Sequence, residues 1–129
     1  MAVIREVDAS LVKPLETSRI RRFTAGATIE AGEIVVMSSD GYIDPANTGA
    51  WGTSVVVGVA IQDVAAGARV DVVTAGPILA FSGGTPGGLV YASDTAGEPS
   101  ESVGTKDVLV GFMESATVLF VRPEFIDRS

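Results

Sequence analysis

Nineteen valines and eight isoleucines stand against six leucines in this chain, and that imbalance limits the fold more than any other feature. Branching at Cβ stiffens χ1, which suits a pleated surface and penalises a helix. Fifteen glycines and six prolines punctuate the short apolar runs. Short β-rich segments separated by frequent turn signals predict an all-β fold, a compact β-sandwich or barrel-like body. The best helical segment is a short turn around residues 8–13, ended by Pro14.

The strands follow from the local patterns. Glu33–Ser38 runs into the turn signal Ser39-Asp40-Gly41 and then Tyr42-Ile43. Ser54–Ile61 is continuously apolar, as a strand buried on both faces would be, and Gly58 inside it marks a bulge or a close backbone approach. Ala68–Thr74 alternates through Arg69 and Asp71, which places Val70 and Val72 toward the core. Further strands are expected at Pro77–Phe81, Leu89–Tyr91, Asp107–Met113 and Thr117–Arg122. Three of these segments echo three earlier ones in the same order. Gly32–Asp40 resembles Gly88–Asp94, Val55–Val59 resembles Val108–Phe112, and Arg69–Val73 resembles Thr117–Val121. The echo suggests a β-unit used twice, at about 31–74 and 87–122, inside a single domain spanning 23–129.

Composition narrows the chemistry. A chain of 129 residues makes one domain with a core large enough to need no metal or disulfide staple. Cysteine and histidine are both absent, which removes thiolate chemistry, Ser-His and Cys-His pairs and the usual zinc sites. No apolar run approaches the roughly 18 residues of a membrane span. The first residues, charged from Arg5, lack the apolar core of a secretory signal. The net charge of −7 disfavours nucleic acid as a direct partner.

That charge is unevenly spread. Residues 1–22 carry five basic and three acidic side chains, a net of +2, whereas 23–129 carry four basic and thirteen acidic ones, a net of −9. A basic, partly apolar N-terminal arm on an acidic body suits docking onto an acidic neighbour. Arg5, Lys13, Arg19, Arg21 and Arg22 are therefore the expected contacts outside the protomer. Trp51, in a small-residue loop before the most apolar strand, is either an anchor for that loop or an interface hot spot.

Candidate reactive motifs fall short. Ser82–Gly88 is glycine-rich but has no Gly-Lys-Ser/Thr closing onto a helix, so it reads as a flexible connection rather than a phosphate loop. Asp40, Asp44 and Asn47 lack calcium-loop spacing and are explained by turns. Glu30 and Glu33 flank a bend and are expected to be exposed. Neither Lys13 nor Lys106 has the flanking pattern of a carrier lysine or of a Ser-x-x-Lys pair. Neither a catalytic site nor a cofactor is expected.

The remaining pattern is Ala31-Gly32-Glu33-Ile34-Val35, Val57-Gly58-Val59-Ala60, Asp63-Val64-Ala65-Ala66-Gly67-Ala68-Arg69-Val70-Asp71-Val72, Gly76, Gly87-Gly88-Leu89-Val90-Tyr91, and Val110-Gly111 before Thr117–Val121. It resembles the small capsid decoration, or cement, proteins of tailed bacteriophages, over residues 25–122. The resemblance implies a β-rich homotrimer on the outer surface of the virion that bridges neighbouring major capsid proteins and reinforces the shell. The basic arm lies outside the matching stretch. Two other readings stay open: a β-clip ligand-binding or enzyme-accessory module, suggested by Ala25–Glu33, and a head-fibre or tail base module.

Overall fold

The computed structural model describes residues 3–6, 9–47, 55–105 and 108–123. Among these the chain is all-β. Its strands are β1 (Ile4–Arg5), β2 (Lys13–Pro14), β3 (Arg19–Thr24), β4 (Ile34–Met37), β5 (Ile43–Pro45), β6 (Val55–Ala60), β7 (Arg69–Leu79), β8 (Phe81–Ser82), β9 (Leu89–Ala92), β10 (Pro99–Ser100), β11 (Leu109–Met113) and β12 (Val118–Val121). The expected helical turn is a 3-10 turn at Ala9–Leu11, just ahead of Pro14, whose ring cannot continue a helix.

Ten strands form one open antiparallel sheet in the order β10-β9-β11-β12-β7-β6-β4-β5, with β2 and β3 also paired to β7. β1 and β8 make a separate two-stranded ribbon. β7 is the spine. The sequence suggests two strands here, broken near Ala75-Gly76, yet one strand of 11 residues runs through. Each half of it is gripped by two neighbours. β3 and β6 pair with its first half, β2 and β12 with its second, and these ladders carry the strand across the glycine.

Two glycines set the ladders. An ideal Cβ on Gly58 would lie 2.0 Å from the Val73 carbonyl oxygen, and one on Gly111 would lie 2.0 Å from that of Phe120. Only a residue without Cβ allows a neighbouring carbonyl so near. The register jumps at the same place in both. Val35 opposes Gly58 while Val36 opposes Val56, and Val90 opposes Gly111 while Tyr91 opposes Leu109. Val57 and Val110 are thus the extra residues of two β-bulges.

The core has two parts. In one, Ile34, Val36, Val56, Val59 and Val73 meet Ile78, Val90, Val110, Met113, Leu119 and Val121. In the other, Val35, Ala60, Val70 and Val72 meet Ala25, Ile29 and Ile43. Adjacent residues of β4 belong to different clusters, so that strand is buried on both faces. β6 divides likewise between Val56 and Val59 on one side and Ala60 on the other, which matches its unbroken apolar run. Each fully buried Val or Ile contributes about 1.5–3 kcal/mol relative to exposure.

Candidate partner-binding surface

The N-terminal segment does not stand away from the body. β1 pairs with β8, and the Glu6 N–H donates to the Ala80 carbonyl at 2.7 Å. β2 and β3 lie on β7, and Val3 and Val12 are buried. The six basic or aromatic residues expected to face a partner are consequently in different situations.

Arg5 is 9% exposed and faces inward. Its Nε donates to Glu98 Oε2 at 2.7 Å, one Nη to the Ala31 carbonyl at 3.1 Å, and the other to Glu30 Oε1 at 3.0 Å. This corrects the expectation that Arg5 reaches outside the protomer. Desolvating a guanidinium is costly, and the fold offsets that cost by closing carboxylates around it. Burial lowers the Arg5 pKa, but the hydrogen bond and charge of Glu98, with Glu30 and Glu33, raise it further, for a net upward shift.

Glu33, expected at the surface, is also buried and accepts the Glu30 N–H at 2.9 Å. Burial pushes its carboxyl above the usual carboxylate range, against the Glu30 N–H and the Arg5 charge, which pull it down. The loop carrying Glu98 closes directly over Glu33. A Cβ on Gly97 would sit 2.5 Å from Glu33 Oε2, and Gly97 holds a φ of +77°. Reading along the sequence missed this node because Arg5 and its partners are 25 and 93 positions apart. One signal was present: the tripeptide Ala-Gly-Glu occurs at 31–33 and again at 96–98. In each case it closes a tight turn, Glu33 N–H to the Glu30 carbonyl and Glu98 N–H to the Thr95 carbonyl, both at 3.1 Å.

The outward-facing cations are on β2 and β3. Lys13 is exposed opposite Leu79. Arg19, Arg21 and Arg22 are exposed along β3, which pairs only with β7 among the described strands. Arg22 Nε meets Asp71 Oδ1 at 2.9 Å across the ladder, and that contact raises its pKa through the hydrogen bond first and the charge second. The Arg21 guanidinium lies 5.2 Å from the centre of the Phe23 ring, held by the ring's negative face. Successive strand residues point to opposite sides, so Arg21 and the Asp71-paired Arg22 lie on opposite faces of this outer strand. Arg19 makes no ion pair among the described residues. Trp51 lies outside the described residues.

Other polar features are engaged in the scaffold. The glycine-rich segment before β9 is pinned rather than loose: Gly84 N–H donates to the Ala116 carbonyl at 3.1 Å, Gly87 N–H to that of Met113 at 2.7 Å, and Gly88 N–H to that of Thr85 at 2.8 Å. Asp63, beside a shallow depression with Glu30, accepts the Ala31 N–H at 2.8 Å. Among the described residues, no group of three His, Cys, Asp or Glu side chains is placed to hold a metal ion, and no helix is long and apolar enough to cross a membrane. The chain matches no protein-family model. It also matches no curated protein in sequence.

Proposed function

We propose that this chain is a structural protein of a tailed-bacteriophage head. In this reading it binds the outer capsid surface as a homotrimer and bridges neighbouring major capsid proteins, without catalysis. The observation that carries the reading is β3: a cationic outer strand with Arg19, Arg21 and Arg22 exposed, on a chain whose net charge is −7. A strand that pairs on one edge only among the described strands, and that carries exposed arginines, can add to an acidic neighbour through backbone and ionic contacts together. Three copies around a symmetry axis would present three such strands, so modest single contacts sum through avidity.

The proposal includes a finer architecture, two related β-units packed as a sandwich-like body. Its support is the parallel strand order, β5-β4-β6-β7 and β10-β9-β11-β12, with a valine-glycine bulge at the same step of each. The ladder partners relate the units by 55, 53 and then 47 positions, against 56, 53 and 48 from the sequence echo.

The test is co-sedimentation with shells assembled from the accompanying major capsid protein, both expanded and unexpanded. Wild-type protein is expected to pellet with at least one form, with binding that weakens as salt rises. Arg19→Glu combined with Arg21→Glu is expected to stay in the supernatant while remaining folded. Wild-type protein that pellets with neither form would end this reading.

A further inference from the structure

The ten-stranded sheet ends in β10 on one side and β5 on the other, and no ladder joins these two among the described strands. Their ends nevertheless meet. Gly97, in the turn before β10, donates its N–H at 2.8 Å to the carbonyl of Ala46, the residue after β5. The Gly97 carbonyl accepts the Ile34 N–H from the start of β4 at 2.9 Å, and the Ala46 N–H donates to the Ile34 carbonyl at 2.8 Å. β1 bonds to both sides of this seam. On the β10 side, the Val3 N–H donates to Glu101 Oε1 at 2.9 Å and Arg5 Nε to Glu98 Oε2 at 2.7 Å. On the β4 side, the two Nη atoms of Arg5 reach the Ala31 carbonyl and Glu30 Oε1. The backbone leaves room for these contacts. A Cβ on Gly32 would lie 3.1 Å from Arg5 Cγ, one on Gly97 would lie 2.5 Å from Glu33 Oε2, and both glycines hold a positive φ.

We propose that β1 is a clasp, held shut by Arg5, and that the seam between the two ends of the sheet opens as a local unit when Arg5 is displaced, ahead of the strands paired to β7. The inference goes beyond the capsid reading and does not depend on it. The seam has little else to hold its backbone: it is joined by three backbone hydrogen bonds, whereas β7 is gripped by four neighbouring strands along its 11 residues. β1 has a ladder of only two pairs, Ile4 with Ser82 and Arg5 with Phe81, so its backbone alone is a weak anchor. The guanidinium supplies the rest. Its N–H groups form a rigid planar fork, so one buried side chain can grip both sides of the seam together. Displacing it has a second effect. Glu30 and Glu98 then face Glu33 with no cation between them, and their repulsion pushes the Gly97 turn away from Glu33. β1 leads into β2 and β3, so one N-terminal segment both locks the body and carries its exposed arginines.

Amide hydrogen exchange of the full chain, followed residue by residue by NMR, tests this. In wild type the Ile34, Ala46 and Gly97 amides are expected to be less protected than the Met113 amide, which donates to the Gly88 carbonyl at 2.8 Å in the other half of the sheet. Arg5→Met is expected to cut protection at the three seam amides about thirtyfold. Arg5→Lys is expected to cut it as well, because one ammonium cannot hold Glu98, Glu30 and the Ala31 carbonyl together. Leu119→Ala, which weakens the core between β11 and β7, is expected to lower protection at Met113 and leave the seam amides as in wild type, because a local opening does not break the Leu119 contacts. If Arg5→Met does not fold, Arg5→Lys decides; if Leu119→Ala does not fold, Leu119→Val takes its place. Seam amides as protected as Met113 in wild type, unmoved in the Arg5 variants, or falling in step with Met113 in Leu119→Ala would each overturn the clasp. Capsid binding is decided separately by the co-sedimentation above, so either reading can fail without the other.

Discussion

Replacing Gly111 with alanine isolates the close approach on which the second half of the sheet depends. The added Cβ would meet the Phe120 carbonyl oxygen at 2.0 Å and its carbon at 3.0 Å. An unstrained C···O contact is about 3.3 Å, so the strands must part by about 1.3 Å. Backbone hydrogen bonds near 2.9 Å do not survive that separation. The affected ladder joins Gly111, Phe112 and Met113 to Val121, Phe120 and Leu119. Losing two of its bonds at about 1 kcal/mol each, with about 1–2 kcal/mol of overpacking, gives a loss of roughly 3–4 kcal/mol. For a domain of this size that lowers Tm by roughly 10 °C. The control is Gly41→Ala, where a Cβ meets nothing within 4 Å and only the φ of +86° is unfavourable. It should cost about 1 kcal/mol. Both variants are to be melted by circular dichroism at one protein concentration, because association shifts Tm. A Gly111→Ala protein no less stable than Gly41→Ala would show that the strands do not approach as described.

Other perturbations address the buried charges and the core. Glu33 has a raised pKa, so its protonated form is favoured in the folded state. Its contribution to stability is present in acid and lost as pH rises through the raised value. Glu33→Gln should therefore gain on wild type in denaturant midpoint as pH rises just above the usual carboxylate range, and a pH-independent difference would contradict the assignment. Arg5→Met removes the cation among Glu30, Glu33 and Glu98. Losing one member of a buried pair costs about 3–5 kcal/mol, reduced here to roughly 2–3 kcal/mol because Glu30 is half exposed; a urea-unfolding loss under about 1 kcal/mol would refute the node's structural role. Leu119→Ala, at a fully buried position between β11 and β7, should cost about 2–5 kcal/mol by the same assay, and a near-neutral result would place that side chain outside the core.

Much of this protein is written locally. The excess of β-branched residues, the two-faced apolar run at Val55–Ala60, the alternation around Arg69 and Asp71, and the punctuating glycines all act over a few residues. Backbone preference and side-chain period operate at that range, so all-β character and most strand positions can be read along the chain. Gly58 was also legible, because a glycine inside a valine run has few explanations other than a close approach.

The placement of charge was not legible. Arg5 and Arg21 are the same residue in the same short basic segment, yet one is enclosed by carboxylates and the other is exposed beside a half-buried ring. What separates them is which distant loops return to each strand. Two Ala-Gly-Glu turns close on β1, while among the described strands only β7 borders β3. Likewise Val59 and Phe112 occupy matching ladder steps, and only the packing of one half of the sheet on the other decides which is buried. Sequence alone determined the all-β character and most strands from β4 onward, because those depend on neighbours in the chain, whereas β1 to β3 and the unbroken run of β7 depend on pairing with distant strands. Tertiary structure alone decided which cations and which apolar faces remain outside, because burial depends on residues brought together from across it.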